Sequence, residues 1–168
     1  MLIQLKKGKD ARSTLACVRD DGSRTWGKVH PFFPEHDLTH YAVEGVLGFT
    51  EAFFGVVASG WELDDFLLPR TRSRLPVEAL LAESIVGVLD MERGLKLSQD
   101  ADELNAVLAD GLRAQGLNAE RRISGHELDA IRSLRDQLIA RWRDTAPGET
   151  LEVPFPPTLA LNESVSPR

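Results

Sequence analysis

The segment between Pro34 and Gly60 constrains the fold of this chain more than any other part of the sequence. It contains no further proline and is apolar on most of its surface when drawn as a helix. Pro34 suits the first turn of a helix, where its missing N–H would have no partner, and Gly60 can end one. Because a helix that is apolar almost all round normally lies in a core, we predict one long central helix over residues 35–59.

A narrow stripe of polar and small side chains runs along this predicted helix. Its members recur at helical spacing and are His36, His40, Glu44, Gly48, Glu51, Gly55 and Ser59. In one interpretation the stripe faces solvent, as is ordinary for a helix in the surface layer. In the other it lines a pocket, and the two histidines bind a divalent metal. The sequence leaves both interpretations open.

His36 and His40 have the spacing of a metal-binding pair. Two imidazoles one helical turn apart can share an ion, which is the geometric logic of the HExxH motif. The helical rise separates them by about 6 Å along the axis, so both side chains can converge on one point. Imidazole and carboxylate together suit zinc or iron, and we expect one of these metals here.

The other acidic residues of the segment are less well placed for direct ligation. Glu44 lies about 12 Å from His36 and Glu51 about 16 Å from His40 along a straight helix. We therefore name Glu44 and Glu51 as candidate catalytic residues. Either could act as a general base, or as an acid behind the metal ligands. Glu51 reaches the ion only if the helix bends. Asp37 is about 100° round the helix from His36, which suits it to orienting an imidazole.

A second predicted helix, over residues 77–93, offers the missing ligand. It is largely apolar, yet it carries Glu83 and later Asp90, with Gly87 between them on the same face. A carboxylate in such surroundings is either paired or at the edge of the core. We take Glu83 as the metal ligand from a second helix, the alternative being a surface glutamate. His30 is a minor further ligand candidate.

The remaining patterns predict an α+β fold in which helix dominates. Two more helices begin at capping signals, one at Ser98 or Asp100 and one at Ser124. Strands are expected over residues 2–6, 13–19 and 23–29, with a possible C-terminal strand over 150–155. Four helices and a small antiparallel sheet from the two chain ends then form one domain over 1–156, followed by a flexible tail over 157–168.

Composition argues against several functional classes. The formal net charge of −6 disfavours general nucleic-acid binding, which needs a basic face. Cys17 is the single cysteine, so neither a disulfide framework nor a cysteine-based zinc site is expected. No apolar run is long enough to span a bilayer, and a cytoplasmic location is the default expectation. Arg70, Arg72 and Arg74 form a local basic cluster, read either as a solvated linker or as a phosphate or carboxylate site.

The stretch HDLTH at residues 36–40 resembles the HDxxH zinc motif of the Coq4 family of coenzyme Q biosynthesis proteins. In that family a glutamate follows the motif at a spacing one residue longer than that of Glu51 here. The resemblance implies zinc at His36, Asp37, His40 and Glu51, with a hydrophobic prenyl-lipid partner nearby.

Two functions from different classes are consistent with these observations. The first is a metal-binding protein, and specifically a small metal-dependent enzyme whose apolar pocket holds an apolar small molecule. The walls expected for that pocket are Phe32, Phe33, Tyr41 and Phe53. The second is a non-catalytic interaction module without metal, in which the long helix and the apolar stripe of the last helix serve a homodimer or a partner protein.

Overall fold

The computed structural model describes residues 1–10, 12–117 and 121–156, apart from the side chain of Arg72. The strands are β1 (Leu2–Lys6), β2 (Ser13–Val18), β3 (Arg24–Val29) and β4 (Thr150–Pro154). The α-helices are α1 (Phe33–Leu47), α2 (Phe53–Ala58), α3 (Val77–Leu95), α4 (Ala101–Ala114) and α5 (Gly125–Asp144). Two short 3₁₀ helices, Leu63–Leu67 and Arg72–Arg74, connect α2 to α3. The predicted α+β class with dominant helix is confirmed, while the predicted tail lies outside the described residues.

The four strands form one antiparallel sheet in the order β3-β2-β1-β4. Ile3 of β1 is paired with Cys17 on one side and with Val153 of β4 on the other. Apolar residues alternate along these strands, so one face of the sheet is buried against helices. The predicted C-terminal strand is therefore confirmed, and it closes the sheet beside the first strand of the chain.

Helix α1 lies between two hydrophobic clusters, as its apolar surface predicts. Ala42 and Val43 belong to a cluster that α1 shares with α3, α4 and α5. Leu38 and Tyr41 belong to a second cluster, which α1 shares with the sheet, α2 and α5. The narrow polar stripe is consequently the part of α1 that neither cluster covers.

The continuous helix predicted over residues 35–59 is wrong, because the chain breaks it at Gly48. Gly48 takes a left-handed conformation with φ 69°, and its N–H and that of Phe49 both donate to the carbonyl of Glu44. This is a common way for a helix to end, and α2 starts only at Phe53. The apolar periodicity continues across the break because both helices pack on the same cluster.

Gly55 allows the chain to fold back closely after this break. A Cβ atom at position 55 would lie 2.1 Å from the carbonyl oxygen of Thr50, a contact that backbone atoms cannot relieve cheaply. The two glycines of the stripe therefore make the connection between α1 and α2 possible. Gly48 ends α1, and Gly55 lets the preceding loop pack closely against α2.

Buried Arg19 holds the segment after α2 against the sheet. Its Nε donates to the carbonyl of Val57 at 2.7 Å, and its Nη2 donates to the carbonyl of Trp61 at 2.5 Å. These bonds place the following 3₁₀ helix, Leu63–Leu67, near β3. None of the described helices is long and apolar enough to cross a membrane.

The helix termini predicted from capping signals agree with the structure, with one extension. Asp100 and Ser124 are the N-caps of α4 and α5, each in a reciprocal capping box. Helix α3, expected over residues 77–93, continues to Leu95, and Lys96 takes the left-handed position with φ 55°.

Replacing Gly55 by alanine is expected to lower the free energy of unfolding by about 2 kcal/mol, because the methyl group must displace the Thr50 backbone. The matched control is Gly87→Ala in α3, where an added Cβ meets no atom within 4 Å. That change should raise stability by about 1 kcal/mol through helix propensity. Urea denaturation midpoints measure both, and equal effects at the two positions would contradict the close approach.

Candidate metal centre

The polar stripe of α1 faces α3, which runs antiparallel to it. His36 Nδ1 lies 2.7 Å from Asp90 Oδ2, and His40 Nε2 lies 3.0 Å from Glu83 Oε2. Only 3% of His40 is exposed and the side chain of His36 is 15% exposed, so the solvent-facing interpretation of the stripe is wrong for the histidines. The later members Gly48, Glu51 and Ser59 are exposed. The histidine spacing on α1 is matched by two acidic residues on one face of α3.

His36, His40 and Glu83 bring one potential ligand atom each to within 4.8 Å of the others. The two imidazole rings have centroids 4.8 Å apart and planes inclined by 75°, so they are not stacked in parallel. Ligand atoms about 2.1 Å from one tetrahedral ion lie about 3.4 Å from one another, so the three side chains must move closer together to hold an ion. The Glu83 side chain is 59% exposed, whereas the side chains of His36 and His40 are 15% and 4% exposed.

Each imidazole has a carboxylate behind it, from half-buried Asp90 for His36 and from buried Glu44 for His40. Asp90 holds Nδ1 of His36, which leaves Nε2 of that ring for a ligand. Glu44 Oε1 lies 3.5 Å from Nδ1 of His40, an ion-pair contact without hydrogen-bond geometry, and Nε2 of that ring is the atom that meets Glu83. Metal-binding histidines almost always have such a partner on the second ring nitrogen, because it fixes the ring and the tautomer.

Further charged groups hold Asp90 in place. It accepts hydrogen bonds from the hydroxyl of Thr39 at 3.4 Å and from Arg93 at 3.3 Å. Arg93 also pairs with Glu35, which in turn accepts from Arg143 of α5. Burial acts to raise the pKa of Asp90, but the hydrogen bonds and charges of His36 and Arg93 outweigh it and hold that pKa below its usual range.

The acid–base properties of His40 and Glu44 reflect their burial together. Burial acts to lower the pKa of His40, but its interactions with the carboxylates of Glu44 and Glu83 prevail and raise that pKa to about 9. Burial raises the pKa of Glu44, against the lowering influence of His40.

Asp37 lies beside the three-residue grouping and not within it. It is 5% exposed and lines the same pocket as the histidines. Its Oδ2 atom is buried and has no hydrogen-bond partner among the described residues. Burial raises the pKa of Asp37 to about 7, despite the opposing charges of His40 and His36. A buried oxygen without a partner is an acceptor that a bound molecule or water can satisfy.

The two candidate catalytic glutamates occupy different surroundings. Glu44 is buried, and its Oε2 accepts the backbone N–H groups of Phe54 at 2.9 Å and Gly55 at 3.3 Å. It thereby fastens the start of α2 to α1 while it also faces His40. Glu51 is exposed in the loop between the helices, away from the pocket. Their catalytic roles stay predictions.

A cavity of about 620 Å³ opens beside the histidines, between the sheet, α1, α3 and the 3₁₀ helix Leu63–Leu67. Of the four aromatic residues expected to wall it, Phe33 and Phe53 do so. Tyr41 is turned to the opposite side, where its hydroxyl donates to the carbonyl of Pro154. Phe32 is mostly exposed, with its ring centroid 5.9 Å from that of His36.

Some parts of the site had little or no signal in the sequence. Asp90 was visible only as a carboxylate on the same face as Glu83, and its contact with His36 depends on how α1 and α3 pack. His30 lines the cavity without joining the ligand grouping. In the basic cluster, Arg74 is exposed and lies over the ring of Trp61.

Comparisons of the chain with protein-family models, with curated proteins and with solved structures find no match. The arrangement of the residues described above therefore carries the functional argument.

Replacing Glu44 by alanine is expected to lower the free energy of unfolding by about 3 kcal/mol, because two buried N–H groups lose their acceptor and His40 loses a charged neighbour. Glu51→Ala is the matched control and should change stability by less than about 0.5 kcal/mol. Guanidinium denaturation followed by circular dichroism measures both. Equal stabilities for the two variants would show that Glu44 does not fasten α2.

Proposed function

We propose that this protein binds a divalent metal ion, zinc or iron, through His36, His40 and Glu83. The observation that carries the proposal is the grouping of these three side chains, whose potential ligand atoms lie within 4.8 Å of one another, with a carboxylate behind each imidazole. The likeness of residues 36–40 to an HDxxH zinc motif supports the same conclusion.

The donor set favours a reactive metal site over a purely structural one. Two imidazoles and one carboxylate are the ligands of many catalytic zinc sites and of non-haem iron sites, both of which keep coordination positions open. Structural zinc sites are instead usually closed by four protein ligands. The cavity beside the three residues supplies space for water and for an organic molecule at the open positions.

We propose further that the protein is a small metal-dependent enzyme. A zinc ion in such a site lowers the pKa of a bound water to about 7, which favours hydrolysis, hydration or decarboxylation. The unpartnered Oδ2 of Asp37 is suited to accept a hydrogen bond from that water or from a substrate. Glu44 and Asp90 act from behind the histidines, where they fix both rings.

The alternative function is an interaction module without metal. The surfaces expected to serve it are wrong, because the long helix and the apolar stripe of α5 are buried in the core, as at Leu128, Leu138 and Trp142. Large apolar side chains are exposed instead at the end of α3, namely Met91, Leu95 and Leu97, and these favour contact with a second copy or a partner protein. The two functions differ in one measurable property, the content of bound metal.

Protein produced without a histidine tag is expected to contain about one equivalent of zinc or iron by mass spectrometry, and re-adding the metal after chelation should raise the melting temperature. The double variant His36→Ala, His40→Ala should lose both effects. His126→Ala, in an exposed position on α5, is the matched control and should retain them. Less than about a tenth of an equivalent and no thermal shift would overturn metal binding.

Asp90→Asn is expected to weaken metal binding about 10- to 100-fold, because an amide orients His36 less firmly than a carboxylate does. Competition with a chromogenic chelator measures the dissociation constant, and far-UV circular dichroism verifies the fold. Asp129→Asn, an exposed change on α5, controls for the loss of one negative charge. Equal affinities for the two variants would remove Asp90 from the metal centre.

A further inference from the structure

The charge of the chain is divided unevenly between the sheet and the helices. Residues 1–30, which contain β1, β2 and β3, carry seven lysines and arginines and three aspartates, although the whole chain has a formal net charge of −6. These three strands therefore form a basic layer on an acidic protein. Charge asymmetry of this kind is typical of proteins that bind an anionic polymer or a membrane surface.

The face of the sheet that points away from the helices, its outer face, carries three of these cations. The register pairs Lys28 with Thr14, and Thr14 with Lys6, so these side chains share the outer face. Leu15, the next residue of β2, lies on the inner face and lines the cavity. Arg24 lies on the outer face with Lys28, because every second side chain of a strand points the same way. All three cations are exposed, and none has an ion-pair partner among the described residues.

Trp26 lies on the outer face between Arg24 and Lys28. It is two residues from each of them along β3, which is about 7 Å in an extended strand. Trp26 is 59% exposed, and its side chain has no ring contact or hydrogen bond within the part of the chain that the structure describes. The one carboxylate that the four strands present on this face is Glu152, which accepts a hydrogen bond from Gln4 at 2.7 Å.

An exposed indole ring between two cations suits a nucleotide better than it suits other anionic partners. A base has a flat π face that can stack on the indole, and the phosphates on either side of that base can meet the two cations. An acidic stretch of peptide supplies carboxylates but no aromatic face. A membrane-binding surface inserts a broad apolar area, whereas Trp26 is the only large apolar side chain exposed on the four strands.

We propose that the outer face of the sheet binds single-stranded nucleic acid. One base stacks on Trp26, the adjacent phosphates pair with Arg24 and Lys28, and Lys6 makes a third phosphate contact. The strand must be single, because a duplex keeps its bases stacked on one another and away from the indole. The net charge of the whole chain, which disfavours general nucleic-acid binding, does not describe this face. The proposal is independent of the metal centre, which lies on the helical side of the sheet.

The test measures binding of fluorescein-labelled oligo-dT and oligo-rU, each about twelve nucleotides long, to the full chain by fluorescence anisotropy. At least one of them should bind about tenfold more tightly than a labelled duplex of the same length. Raising the salt concentration from about 50 to about 200 mM should weaken the single-strand complex about 20-fold, as expected for three phosphate contacts. Equal affinities for duplex and single strand, or no binding of either single strand at the lower salt concentration, would overturn the proposal.

Variants assign the binding to the outer face. Trp26→Ala should weaken single-strand binding about tenfold through the loss of stacking, and Trp26→Phe should retain most of it. Arg24→Gln with Lys28→Gln should reduce the effect of salt to about threefold, because one phosphate contact remains. Arg70→Gln with Lys96→Gln removes two exposed cations outside the sheet and should change neither property. If Trp26→Ala is folded by circular dichroism and binds as tightly as the unchanged protein, no base stacks on this ring and the proposal fails.

Two other kinds of partner are tested in the same way. A polyglutamate peptide and vesicles of phosphatidylserine with phosphatidylcholine should both bind more weakly than the oligonucleotides. Equal affinity for polyglutamate would reduce the interaction to charge attraction and contradict base stacking. Vesicle binding that requires Trp26, without binding of either oligonucleotide, would assign the outer face to a membrane surface and overturn the proposal.

Discussion

The pairing of the polar stripe of α1 with acidic residues of α3 is the interaction on which the rest of this structure depends. A histidine or carboxylate buried without a partner costs several kcal/mol, so α1 can lie at the centre of the core only where its neighbours supply partners. Asp90 and Glu83 supply them to the histidines, and the backbone of α2 supplies them to Glu44. These contacts fix how α1 and α3 are rotated, and the same rotation directs both imidazoles toward Glu83.

The position of the pocket follows from this rotation. The two apolar sides of α1 pack in the two hydrophobic clusters. The polar stripe of α1 therefore faces the cavity between α3 and the sheet. Arg19 closes that gap from one end by holding the segment after α2. The polar side chains of α1 therefore lie beside apolar cavity walls because the two hydrophobic clusters pack on different sides of this one helix.

Local patterns predicted much of this fold, and the parts they missed depend on tertiary contacts. Strands and the caps at Asp100 and Ser124 were predictable because their signals lie within a few residues. The break at Gly48 was not predictable. The spacing of apolar residues indicates which face of a segment is buried, but it does not reveal an interruption between two helices that bury the same face. Glu83 could be chosen as a partner for the histidines from its apolar surroundings. The contact of Asp90 with His36 could not be predicted in this way, because it depends on how far α1 and α3 are shifted along each other when they pack antiparallel.

The place of β4 in the sheet has a consequence for the order in which the molecule assembles. Strands β1 to β3 are neighbours in sequence and can pair early, but β1 remains an open edge until α5 and β4 have been synthesised. The same last strand supplies the carbonyl of Pro154 to Tyr41, and Phe155 beyond it packs against Phe54. Completing the sheet and seating the central helix thus both require β4, and until β4 has paired the edge of the sheet is the apolar strand β1.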